Sequence, residues 1–189
     1  RINLENDVAL ISNTQFPGQQ LAWSDTLIGS SVSYSVNGYS HPYVNAEEWL
    51  VTPKLNLQPY EEASLYFDLA YALQESGVGD GLIILVSDND GLTYENTVYS
   101  LMGSDLTSAS DIANNWAPTV AEDWERHFID LTNFAGKNDV RVAFVFTNKL
   151  GNALYLDNLE FYIEAYPDTA RTENAVRFAP NPINPLKDV

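Results

Sequence analysis

Apolar side chains recur at every second residue through much of this chain, a period that strands satisfy and helices do not. In Val140-Arg141-Val142-Ala143-Phe144-Val145-Phe146, Val140, Val142, Phe144 and Phe146 share one face. In Leu65-Tyr66-Phe67-Asp68-Leu69-Ala70-Tyr71 the odd positions are large and apolar, and Asp68 and Ala70 fall on the other side. Leu82-Ile83-Ile84-Leu85-Val86 is apolar on both faces, as a central strand covered on each side would be. Further strands are expected at Val8 to Ile11, Val32 to Val36, Glu48 to Thr52, Thr93 to Tyr99, Trp124 to Leu131 and Ala153 to Ala165.

The last of these breaks its own rhythm. Leu154 and Leu156 set an even apolar register, whereas Leu159, Phe161 and Ile163 set an odd one. One extra residue must be absorbed near Asp157-Asn158, which is what a β-bulge does. Bulges re-aim side chains beside functional sites, so Asp157 becomes a candidate site residue; the plainer reading is a bend in a sandwich strand. Asn37-Gly38, Asp80-Gly81 and Asp90-Gly91 supply turn chemistry. Helical signal is confined to a turn or two within Asp105 to Trp116. Many short strands with almost no helix argue for an all-β sandwich, with a jelly roll as the preferred topology.

Composition narrows the function. The chain carries 26 acidic and 9 basic residues, a formal net charge of −17, and no cysteine. Nucleic acid and anionic membrane faces are excluded as partners because both require a basic footprint. Without cysteine there is no disulfide framework, thiol nucleophile or cysteine-ligated metal. No apolar run is long enough for a transmembrane helix, so membrane insertion is not expected. Arg1 to Glu5 lack the apolar core of a signal peptide, so the sequence reads as a piece of a longer polypeptide with a further domain upstream.

Several spaced elements carry a family resemblance: Glu48-Trp49-Leu50-Val51-Thr52-Pro53-Lys54-Leu55-Asn56-Leu57, Leu65-Tyr66-Phe67 and Leu85-Val86-Ser87-Asp88. They continue with Trp124, Ile129-Asp130-Leu131, Phe134-Ala135-Gly136, Val140-Arg141-Val142-Ala143-Phe144 and Leu154-Tyr155-Leu156-Asp157-Asn158-Leu159. In this order they resemble the cleaved-adhesin (choice-of-anchor J) jelly-roll domains of gingipains, which are MAM-related and galactose-binding-like, over roughly residues 20 to 165. Phe178-Ala179-Pro180-Asn181-Pro182 resembles the opening of a type IX secretion sorting domain. The implied organisation is an N-terminal strand or the end of a preceding region in 1–19, the adhesin-like domain in 20–165, a linker in 166–178 and a sorting domain starting at 179–189. Together the resemblances imply a secreted or cell-surface bacterial protein.

The adhesin resemblance also implies a structural calcium ion held by Asp157, for which Glu47, Glu48 and Glu5 are the candidate partners. Residues 55 to 125 contain many acids but no lysine or arginine, a concentration that a cation would relieve and that solvent and salt also screen. Ser87 to Tyr94 resembles a sialidase Asp-box turn and is read as a polar hairpin, with a calcium loop as its functional alternative. For ligand binding, Trp116 in a polar stretch and the loop from Tyr39 to Tyr43 are the candidates, whereas Trp49 and Trp124 lie in strand motifs and read as core. His41 and His127 have no nucleophile-elbow context, and among 26 acids a suitably spaced carboxylate pair is inevitable and uninformative. The chain is therefore expected to be a non-catalytic binding module for a glycan or an extracellular protein. The alternative is a structural accessory domain of a larger secreted hydrolase.

Overall fold

The computed structural model describes residues 2–3, 9–11, 23–109 and 114–165. Its strands are β1 (Ile2–Asn3), β2 (Ala9–Ile11), β3 (Ser24–Ile28), β4 (Ser31–Asn37), β5 (Glu47–Val51), β6 (Tyr60–Ala70), β7 (Gly81–Ser87), β8 (Asn96–Met102), β9 (Glu125–Asp130), β10 (Arg141–Thr147) and β11 (Ala153–Ala165). Helix among the described residues is limited to short 3-10 turns, of which Gly103–Leu106 falls near the expected helical stretch. Residues 110–113 of that stretch lie outside the described residues, as does the proposed sorting segment at 179–189.

One sheet has the order β3-β4-β11-β6-β9, with β1 also pairing with β11; the other runs β2-β5-β10-β7-β8. All pairings are antiparallel. From β4 onward the chain crosses back and forth between sheets, so that β4-β11-β6-β9 faces β5-β10-β7-β8. This is the all-β sandwich that the alternation suggested, with the two facing antiparallel sheets of the preferred jelly-roll topology.

The alternating side chains meet between the sheets. Leu65, Phe67 and Leu69 of β6 join Leu82, Ile84 and Val86 of β7, Val142, Phe144 and Phe146 of β10, and Leu154, Leu156, Leu159 and Phe161 of β11. Each of these large side chains contributes about 1.5–3 kcal/mol by leaving water. β1 and β3 lie outside the expected strands. The burial pattern of β3 shows why, since no apolar alternation marks an edge strand whose residues are exposed or half-buried. Trp49 corrects the expectation that it is core. It is half-buried on the outer face of the second sheet, edge-on to Tyr94 with ring centroids 5.4 Å apart, while its neighbour Leu50 points inward.

Two of the three expected turns behave differently. Gly91 (φ 84°) and Asp90 (φ 59°) do form a tight turn. The polar hairpin reading also holds there: Ser87 Oγ donates to Asn89 Oδ1 (2.7 Å), which accepts from Thr93 N (3.0 Å). Gly81 instead begins β7, and Asp80 is fully buried. Gly38 is needed for space, because a Cβ there would lie 2.6 Å from Asp80 Oδ2 and 2.7 Å from Asn152 O.

Asp80 ties the loops at this end of the sandwich. Its Oδ1 accepts from the backbone N–H of Lys149 (2.6 Å) and Gly151 (3.0 Å), and its Oδ2 from the Tyr71 hydroxyl (3.0 Å). Burial pushes the Asp80 carboxyl above its usual range, and the backbone donors oppose that shift. Gly38→Ala is expected to lose about 1–3 kcal/mol of stability by overpacking; urea denaturation at neutral pH measures it.

His127 is packed inside, its ring stacked on Phe67 at 5.2 Å and its Nδ1 2.6 Å from the Tyr99 hydroxyl. Desolvation lowers its pKa below the ordinary 6.5, with Glu125 and Asp68 pulling the other way. The unfolded chain therefore binds this proton first, so the stability due to neutral His127 is complete above about pH 6.5 and is lost as pH falls. Calorimetry between pH 7.5 and 5.5 should show a shallower drop in melting temperature for His127→Phe than for the parent. Equal slopes would remove His127 as the cause.

Candidate functional site

The first sheet has a polar and aromatic outer face, turned away from the core. Parity places Tyr66, Asp68 and Ala70 of β6 there, because Leu65, Phe67 and Leu69 are spent inward. Register adds neighbours from other strands: Asp68 stands opposite Asp157 on β11 and Arg126 on β9. β4 contributes Ser31 and Ser33, whose hydroxyls donate to Asp157 Oδ2 at 3.2 and 2.9 Å.

The expected bulge is present and shapes this face. Register slips between Asp157, opposite Asp68, and Glu160, opposite Tyr66, and Asn158 takes a positive φ of 49°. Asparagine adopts this left-handed conformation more readily than most residues. The bulge lets Asp157 and Asn158 both reach the outer face: Asn158 N donates to Asp157 Oδ1 (2.7 Å), and Asn158 Nδ2 to Asp68 Oδ2 (2.6 Å). Arg126 closes the network, with Nη1 donating to Asp68 Oδ1 (3.0 Å) and the Asn158 carbonyl (3.2 Å), and Nη2 to Glu160 Oε2 (3.0 Å).

Beside this network lies a cleft of about 250 Å³ lined by Ile28, Ser31, Asp68, Ala121, Trp124, Asp157 and Asn158. Trp124 and Trp116 are half-buried and pack with Ile28 against Ala70, Ala153 and Tyr155, so one end of the face is walled by aromatic rings. Trp116 meets Tyr155 edge-on at 6.3 Å. The cleft thus joins indole surface to carboxylate acceptors. Among the described residues Asp68 receives two donors and Asp157 three, fewer than the roughly four lone-pair sites of a carboxylate. Both therefore retain capacity for hydroxyl donors.

The structure sorts the residues singled out in the sequence. Asp157 lines the cleft, whereas Trp116 is not among its lining residues and packs with Tyr155 at the aromatic end of the face. Tyr39 is exposed and Tyr43 half-buried in the loop after β4. That loop is linked to Trp116 through Asn152, whose carbonyl accepts from Gly38 N (3.1 Å) and whose Oδ1 accepts from Trp116 N (3.3 Å). Trp124 is a correction: it lines the cleft instead of filling the core. Asp68 and Arg126 were not singled out, and Asn158 only as part of the expected bulge; the signal for Asp68 was a charged residue interrupting the apolar run from Leu65 to Tyr71.

The residues proposed for calcium do not come together. Glu47 and Glu48 sit on β5, in the opposite sheet from Asp157, and Glu5 lies outside the described residues. Glu48 Oε1 lies 3.1 Å from buried His41 Nε2, and Glu47 Oε2 accepts from Trp49 Nε1 (3.4 Å). Among the described residues, no group of three or more His, Cys, Asp or Glu is placed to hold a metal ion. In the hairpin considered as a calcium loop, Asp88 pairs with Lys137, and Asp90 with Arg141 (2.8 Å) and Lys54 (3.7 Å). These side-chain cations hold both carboxyls below their usual pKa range.

No protein-family model and no curated protein sequence matches the chain. Solved structures do. The K1 cleaved adhesin domain of Lys-gingipain from Porphyromonas gingivalis W83 superposes with a TM-score of 0.59 at 16% identity, covering 85% of this chain and 92% of that domain. The K3 domain of the same protein gives 0.55 at 17% identity, over 85% and 93%. A carbohydrate-binding module specific for non-crystalline cellulose, CBM28, gives 0.50 at 16% identity, over 79% and 84%. This chain shares its β-sandwich fold with these adhesin domains and with CBM28.

Asp157→Ala removes the acceptor that holds Ser31, Ser33 and the bulge. It should cost about 1–3 kcal/mol in urea denaturation, and equally in calcium or EDTA. A loss seen only with calcium would instead assign Asp157 to a metal site.

Proposed function

We propose that this protein is a non-catalytic, adhesin-like binding module that recognises glycan through the cleft on the outer face of its first sheet. The observation that carries this reading is the placement of Trp124 beside Asp68, Asp157 and Asn158. A pyranose ring offers an apolar C–H face and a rim of hydroxyls. The electron-rich face of an indole suits the first, and the carboxylate and amide groups suit the second. The shared fold with adhesin domains and a cellulose-binding module supports the reading, and the same likeness favours a secreted or cell-surface setting.

Chemistry also favours binding over catalysis. Among described carboxyls with a resolved shift, Asp80 alone is raised, and it is fully buried with donors on both oxygens. A general acid needs that shift at a place a substrate can reach. The carboxylates of the cleft instead favour neutral sugars, since uronic or sialic acids would meet like charge.

A glycan array on the purified protein, followed by calorimetry on the hits, tests this proposal. Trp124→Ala should lower affinity at least about tenfold, and Asp68→Ala by about 2- to 12-fold, the range for one lost hydrogen bond. Circular dichroism should show both variants folded. Silence on the array and on a panel of matrix proteins, with the fold intact, would favour an accessory domain with no ligand of its own.

A further inference from the structure

A second set of aromatic rings lies on the same outer face, beyond the Asp68–Arg126 network. Phe128 of β9, Tyr66 of β6 and Tyr162 of β11 are neighbours. Tyr66 and Phe128 have ring centroids 5.1 Å apart, and Tyr66 and Tyr162 5.0 Å apart. The Tyr162 hydroxyl donates to Glu160 Oε2 (2.9 Å), and the Arg126 guanidinium sits 5.5 Å over the Tyr66 ring. Both tyrosines are thereby held in place. Phe128 is left 54% exposed, a large apolar ring on a strand whose inward residues, His127 and Ile129, already complete the core.

The geometry points to Phe128 as a second sugar-stacking platform, so that the face binds a linear glycan along several units instead of a single terminal sugar. This inference rests on the glycan reading of the cleft. Trp124 and Phe128 are four residues apart along one extended segment, roughly 13 Å at about 3.3 Å per residue. That span exceeds one pyranose ring. The surface between the two platforms is polar: Asp68, Arg126 and Glu160 form a continuous network there. Aromatic ends flanking a hydrogen-bonding middle match a chain of rings that alternates apolar faces with hydroxyl rims. The network is rigidly cross-bonded, so the ligand meets a surface already organised and less binding energy is lost to ordering it.

Calorimetry with β-1,4-linked gluco-, manno- and galacto-oligosaccharides of increasing length tests the inference. For a series that binds, affinity should climb with chain length until the ligand spans both platforms and then level off. Phe128→Ala should lower affinity for the longest member by about three- to tenfold, the range of one aromatic contact, and leave disaccharide affinity unchanged. Trp124→Ala should weaken short and long ligands alike. Equal affinity for disaccharide and hexasaccharide, or unchanged hexasaccharide binding in Phe128→Ala, overturns the extended face. If the array yields a ligand but no linear series binds, the extended face falls and the cleft reading stands. Silence in both experiments overturns both, and capture of a matrix protein that depends on Phe128 would reassign the patch to a protein partner.

Discussion

The change of parity inside β11 is the constraint on which the binding face depends. β11 is paired with β6 along almost its whole length, on both sides of the slip. Its apolar residues must point inward in both halves, yet Leu156 and Leu159 differ in register by one. Only an unpaired residue reconciles them, and Asn158 supplies it at a positive φ. Had the strand run straight, either Leu154 and Leu156 or Leu159 and Phe161 would have faced water. Core burial therefore forces the bulge. The bulge in turn delivers a carboxylate and a carboxamide side by side to the outer face, where Asp68 and Arg126 meet them.

Ion pairs gather the few cations of this acidic chain around its acids. Residues 55 to 125 contain no lysine or arginine, but the fold brings cations from either side of that stretch to its acids. Arg126 bridges Asp68 and Glu160, Lys137 meets Asp88, and Lys54 and Arg141 converge on Asp90. These are partly exposed pairs, individually worth little in stability. They arrange charge more than they add free energy, and they leave the cleft as a place where carboxylates face outward.

The strands were legible because burial leaves a direct trace in sequence, apolar at every second position wherever one face is covered. The bulge was legible for the same reason, as a fault in that trace at Asp157-Asn158. β3 left no such trace because neither of its faces is fully covered. The site was mostly illegible: Asp68 is 58 residues from Arg126 and 90 from Asn158. Which outward side chains become neighbours is decided by strand order, which alternation does not encode. Trp124 misled for a related reason, since an aromatic at the start of a strand looks the same whether it packs on the inner or the outer side. The calcium expectation met a similar obstacle, because Glu48 and Asp157 come from strands in opposite sheets.

Among the described residues β8 pairs only with β7, and one row of its backbone groups has no strand partner there at the border of its sheet. Such borders invite a second copy to add its own strand, and many proteins guard them with lysine or proline. β8, Asn-Thr-Val-Tyr-Ser-Leu-Met from Asn96 to Met102, contains neither. A net charge of −17 sets up repulsion between copies, with a reach of only about 8 Å at physiological ionic strength. Concentrated salt or divalent cations shorten the reach of that repulsion at the open border of β8.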